Sequence, residues 1–136
     1  MTAKEYLSQY RNLDIKIDGM VEERERLYSR AKTVGGSIID GTPKSAKSDN
    51  TAKHEKILDR IMELDDMINS RIDGLIALRH EINAAINAVD DDRLRMILRL
   101  KYVNGHTLES IALDMGMSHR HMCRLHGQAL KEVEAR

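Results

Sequence analysis

Apolar residues recur every seven positions at Ile61, Ile68, Leu75, Ile82 and Val89. A hydrophobic period of 3.5 residues commits a stretch to a long helix with one apolar seam, and that seam must be buried against another helix. Ile57, Leu64, Leu78 and Ala85 fill the companion position of the repeat, interrupted by Arg71. Leu58, Ile72 and Ile86 lie beside the seam and widen it, as expected of a helix with more than one neighbour. The spacing predicts a helix from Asn50 or Thr51 to about Val89.

A matching segment lies upstream. Thr2 to Glu5 reads as a capping box, with a hydroxyl residue three positions before a glutamate. Tyr6, Leu13, Met20 and Leu27 then hold one heptad position, and Tyr10, Ile17 and Ala31 the other, which Arg24 interrupts. This predicts a helix from Thr2 to about Lys32, weakened at Gly19 by about 1 kcal/mol relative to alanine. Between the two segments the pattern stops. Gly35-Gly36, Gly41 and Pro43 predict a loop over about residues 33–50. It lacks the Gly-Lys-Ser/Thr ending of a phosphate-binding loop.

Composition narrows the fold class. The 136 residues include no Phe or Trp, one Pro and 4 Tyr, so aliphatic side chains and Met must fill any core. That favours helices over a sandwich or barrel. With 22 basic and 22 acidic residues the formal net charge is zero, and only a local patch could attract a polyanion. A single cysteine excludes an intrachain disulfide framework and suits a reducing cytoplasm. No run approaches the roughly 20 apolar residues of a membrane span, so no membrane is expected as a partner.

After Asp90-Asp91-Asp92, a break in which Asp90 is the expected cap, Arg93 to Val103 reads as a helix stopped by Asn104-Gly105. Thr107 can cap the next helix, whose inner face is Leu108, Ile111, Ala112 and Met115. Gly116 supplies the reversal and Ser118 caps a last helix with Met122, Leu125 and Ala129 inside. A small residue before a turn glycine, followed by a second apolar face, is the helix-turn-helix pattern. No acidic residue occurs between Asp114 and Glu132, whereas Arg120, Arg124, Lys131, His119, His121 and His126 do. Such a helix can enter a major groove, where arginine pairs with guanine edges and other side chains reach phosphates. From Arg93 onward eight Lys or Arg stand against four acids.

The residues from Arg93 to Glu134, notably Leu-Arg-Leu-Lys-Tyr-Val-Asn-Gly-His-Thr-Leu-Glu-Ser-Ile-Ala, Met-Gly-Met-Ser and Arg-Leu-His-Gly-Gln-Ala-Leu, resemble region 4 of bacterial sigma-70-type factors. The whole chain is similar to small sigma-like proteins of phages and prophages, the group of the ArpU and RinA late transcription regulators. The resemblance implies a base-reading helix on which Ser118, His119, Arg120, Cys123 and Arg124 face double-stranded DNA. It places Thr107 and Lys101 near the DNA backbone. It also implies contact with bacterial RNA polymerase. Nothing in the chain resembles the promoter-melting region 2, so a regulator that assists or recruits polymerase is implied, not a complete sigma factor.

Other chemistry is weaker. His119–Cys123 and Cys123–His126 have helical spacing for zinc, but no second cluster completes the ligand set. No nucleophile has an evident orienting partner. The expectation is therefore a non-enzymatic, all-α protein without metal or cofactor: a long antiparallel helical hairpin over residues 1–89, coiled-coil-like and used for homo-oligomerisation, then a three-helix helix-turn-helix domain over 90–136. The expected function is sequence-specific DNA binding in the cytoplasm of a bacterial host. Two alternatives remain open at this level: a phage packaging protein of small-terminase type, and a module that binds polymerase without DNA.

Overall fold

The computed structural model describes residues 1–39 and 44–135, with side-chain surroundings for 1–33 and 51–135. The chain is all-helical over these residues: α1 (Ala3–Ile39), α2 (Lys44–Asn87), α3 (Asp92–Leu98), a π-helical turn (Arg99–Val103), α4 (Leu108–Asp114) and α5 (His119–Glu134). None of these helices is long and apolar enough to cross a membrane.

The predicted capping box opens α1. Thr2 N–H donates to Glu5 Oε2 at 3.0 Å and Glu5 N–H to Thr2 Oγ1 at 3.2 Å. The expected loop is where the structure departs from the sequence reading. Residues 33–39 continue α1, and α2 begins at Lys44, well before Asn50. The glycines of this stretch lower helix propensity, yet each long helix extends cooperatively once nucleated and packed. Gly41 and Pro43 lie outside the described residues.

The chain forms two compact units, one of residues Ile15–Asp73 and one of Met1–Asp14 with Gly74–Arg136. In the first, Ile17, Met20 and Ala31 of α1 and Ile61, Leu64 and Ile68 of α2 are buried. Arg24, which interrupts the α1 seam, donates to Asp65 at 2.8 Å. That partner and its charge raise the pKa of Arg24. Arg60 donates to Glu23 at 3.3 Å and to Glu63 at 3.1 Å. Of the residues expected to widen the α2 seam, Leu58 and Ile72 are exposed here, at 39% and 36%.

The second unit has one continuous core. Leu7, Tyr10, Ile82, Ile86 and Val89 pack with Leu94, Ile97, Leu98, Tyr102, Ile111, Ala112, Met122, Leu125 and Ala129. This unit takes in the start of α1 and the end of α2 together with α3, α4 and α5. Leu7, outside the heptad seam, is fully buried because the first turns of α1 face this core. Further links hold the elements in place. Ala3 N–H donates to Glu134 Oε1 at 3.4 Å. Arg95 donates to the Val89 carbonyl at 2.9 Å, and Arg99 to Asn87. Asp91, not Asp90, caps α3, accepting from Arg93 N–H at 2.8 Å and Leu94 N–H at 3.1 Å.

The expected single helix from Arg93 to Val103 is α-helical only to Leu98. Over its last five residues Asn104 N–H reaches the Arg99 carbonyl at 3.1 Å and His106 N–H the Leu100 carbonyl at 2.9 Å. Gly105 follows with φ +79°, and the Arg11 guanidinium occupies the space a Cβ would take. The wider π turn shifts the register of the side chains that follow, and Tyr102 is turned inward, 3% exposed.

Fully burying an aliphatic side chain stabilises by roughly 1.5–3 kcal/mol, so Leu7, Ile82, Ile86 and Val89 together contribute on the order of 6–12 kcal/mol. That is comparable to the whole stability of a small domain. A fragment of residues 90–136, which lacks all four, is expected to show no cooperative thermal transition by circular dichroism under conditions where the full chain shows one.

Candidate nucleic-acid interface

The last two helices owe their geometry to local chemistry. Thr107 is extended (φ −82°, ψ 158°), and its hydroxyl accepts from Ser110 N–H at 3.1 Å. Ser118 is similar (φ −70°, ψ 152°) and accepts from His121 N–H at 3.1 Å. Between them Gly116 takes φ +66°. Gly116 N–H donates to the Leu113 carbonyl at 3.3 Å and Met117 N–H to the Ala112 carbonyl at 2.8 Å. This is a Schellman ending, which satisfies the last carbonyls of α4 and needs a residue that accepts positive φ. Ala112 is buried at that point, and its small side chain allows the two helices to approach.

The inner face of α5 is Met122, Leu125 and Ala129, as the spacing predicts, together with His126. His126 was expected on the polar face and as a weak zinc candidate. It is 8% exposed, and its Nε2 is hydrogen-bonded to Tyr102 Oη at 2.7 Å. The rings stack with centroids 5.7 Å apart. Burial, then the charges of Lys101 and Lys4, lower the His126 pKa to about 4, and burial raises that of Tyr102 to about 12. Both groups are therefore neutral at pH 7, and the pair closes the core beneath α5 with a satisfied hydrogen bond.

The outer face carries the residues singled out for DNA. Ser118, His119, Arg120, Cys123 and Arg124 are all exposed, as are Gln128 and Lys131. At 100° per residue, Arg120, Arg124 and Lys131 form one line along the helix. His119 and Cys123 lie on the edge towards α4. His119 Nε2 is 3.5 Å from Cys123 Sγ and 3.6 Å from Glu109 Oε1. Among the described residues no group of three or more His, Cys, Asp or Glu could hold a metal ion. Thr107 is exposed, with its hydroxyl engaged as a cap. Lys101 is half-buried, and its Nζ sits 5.7 Å from the centre of the Tyr102 ring.

Not every cation counted in the sequence faces outward. Arg95 and Arg99 tie α3 and the π turn to the end of α2, and Arg11 lies over Gly105. On α5 three cations, Arg120, Arg124 and Lys131, stand against Glu132 and Glu134, and all three are exposed. Hydrophobic periodicity identified the inner positions but could not separate structural arginines from presented ones. The buried role of His126 had no signal beyond its place one residue after Leu125.

The pH dependence of stability follows from His126. In the unfolded chain its pKa is about 6.5 and in the folded chain about 4, so between these values the unfolded state binds more protons. Stability is then full above about pH 6.5 and falls as pH drops towards 4, by up to roughly 3 kcal/mol at about 1.4 kcal/mol per pKa unit. Urea unfolding at pH 7 and pH 5 should show about 2 kcal/mol of this loss, and His126→Gln should flatten that part of the pH profile.

A family model described as "Protein of unknown function (DUF1492)" matches residues 43–134, which takes in α2 to α5. No curated protein and no solved structure matches the chain.

Proposed function

The chain belongs to the DUF1492 family, and from that premise we propose that it is a DNA-binding transcription regulator of phage or prophage type. In this reading α4 and α5 are a helix-turn-helix, completed by α3 into a domain like sigma region 4. The regulator binds promoter DNA with α5 and assists or recruits host RNA polymerase. The observation that carries the reading is the exposed, acid-free line of Arg120, Arg124 and Lys131 on a helix held out by Ser118 and Gly116. Ser118 at the N-terminus of α5 adds backbone N–H groups suited to a phosphate or a base edge. Arg120 and Arg124, one turn apart, have the reach for guanine edges. His119 and Cys123 form the edge of the reading face, with Thr107 and Lys101 towards the DNA backbone.

We further propose that α1 and α2 pair as an antiparallel hairpin and that residues 15–73 join copies of the chain. Exposed Leu58, Met62 and Ile72, at 39%, 66% and 36%, lie along one side of α2 and support such an association. A dimer of this kind would address half-sites separated by about one helical turn of DNA, ~34 Å, or a multiple of it.

Two experiments test these readings. Each well-placed arginine–guanine contact is worth about 1–3 kcal/mol. The double change Arg120→Ala and Arg124→Ala is therefore expected to weaken binding to a selected duplex by about 100-fold, with the helical circular dichroism spectrum unchanged. Equal affinity of variant and parent in fluorescence anisotropy would remove α5 from the interface. For self-association, Met62→Glu with Ile72→Glu is expected to lower the mass measured by light scattering to that of one chain. An unaltered mass would exclude this face of α2 as the contact.

A further inference from the structure

Gly127 stands in the middle of α5, inside the helix and on its outer side. A glycine there lowers helix stability relative to alanine. Internal packing offers no reason for it, since a Cβ built at this position meets nothing within 4 Å. Gly19 and Gly74 share that openness, but their surroundings differ. The residues one turn away from Gly19 are Ile15, Lys16, Glu22 and Glu23, and from Gly74 they are Ser70, Arg71, Ala77 and Leu78. Around Gly127 they are Cys123, Arg124, Leu130 and Lys131, with Arg120 one turn further along the same line. Cationic side chains thus flank a bare patch of helix backbone with no acid beside it.

Position along α5 adds an independent constraint. Gly127 lies nine residues beyond Ser118, about 13 Å at 1.5 Å per residue. The major groove is about 12 Å wide. A helix that enters the groove at Ser118 therefore reaches its rim near Gly127, where sugar-phosphate backbone passes, not base edges. We propose that Gly127 is the seat of a phosphodiester contact: the missing side chain lets the DNA backbone approach the helix, and Lys131, one turn on along the same line, holds the phosphate. This inference rests on the DNA-binding reading of α5. Because phosphates carry no sequence information, the contact sets affinity and register but not base preference.

The test is a size series, Gly127→Ala and Gly127→Leu, in the full chain, probed with a selected duplex and a mixed-sequence duplex. Both replacements favour helix and are expected to raise Tm. Affinity should move the other way, falling about threefold for Ala and thirtyfold or more for Leu, by similar factors for both duplexes, as loss of a phosphate-positioning contact requires. Gly19→Ala and Gly74→Ala should raise Tm and leave affinity unchanged. If Arg120→Ala with Arg124→Ala weakens binding but Gly127→Leu binds both duplexes as the parent does, the phosphate seat is overturned while DNA binding by α5 stands. A large loss confined to the selected duplex would likewise overturn it, since that marks a base contact. If the parent binds neither duplex, both readings fall.

Discussion

The buried pair Tyr102–His126 sets the roll of α5 about its axis. A polar ring in an apolar core is tolerated only when its nitrogen has a partner, because an unmet buried group costs about 1–3 kcal/mol. Tyr102 Oη at 2.7 Å supplies that partner. Rotating α5 by one residue, 100°, would take His126 from the phenol and carry an arginine towards Ile97 and Leu98. The hydrogen bond and the flanking Met122, Leu125 and Ala129 therefore select one orientation, and Arg120, Arg124 and Lys131 point outward as its consequence. The π turn belongs to the same constraint, since it brings Tyr102 to the core.

That arrangement depends on residues far away in sequence. Leu7 and Tyr10 from the start of α1 and Ile82, Ile86 and Val89 from the end of α2 build the remainder of the core that supports α3, α4 and α5. The short helices α3 and α4, seven residues each, could not persist alone in water. Their stability comes from burial against the two long helices. The arginines follow the same division of labour. Arg95, Arg99 and Arg11 fasten the elements of this unit to each other, while the α5 cations stay exposed.

What could be read from the sequence was mostly local. Thr2, Thr107, Ser118 and Gly116 act within a few residues of themselves, and the structure uses each as its spacing predicts. The inner positions of α5 and most seam positions of α2 followed from periodicity. The features that escaped depend on distant neighbours. Leu7 is off the heptad seam, and only the α3–α5 core explains its burial. Leu58 and Ile72 match the apolar stripe, yet they are exposed in their unit. Asp91 displaces Asp90 as the cap of α3, a choice among three adjacent aspartates that composition cannot make. The glycines of residues 33–39 signalled a loop, but helix continues through them.

The outer face of α5 is chemically uneven. His119 has two neighbours of its own, Cys123 at 3.5 Å and Glu109 of α4 at 3.6 Å. The contact with Glu109 links the first turn of α5 to α4, at the edge of the outer face and away from its centre. Arg120 and Arg124 are exposed and lie along the line that continues to Gly127 and Lys131. His119 and Cys123 belong to the α4–α5 junction and half-buried His121 to its opposite flank, so on the proposed DNA-binding reading base discrimination would fall to Arg120 and Arg124 and phosphate contact to the stretch that follows them.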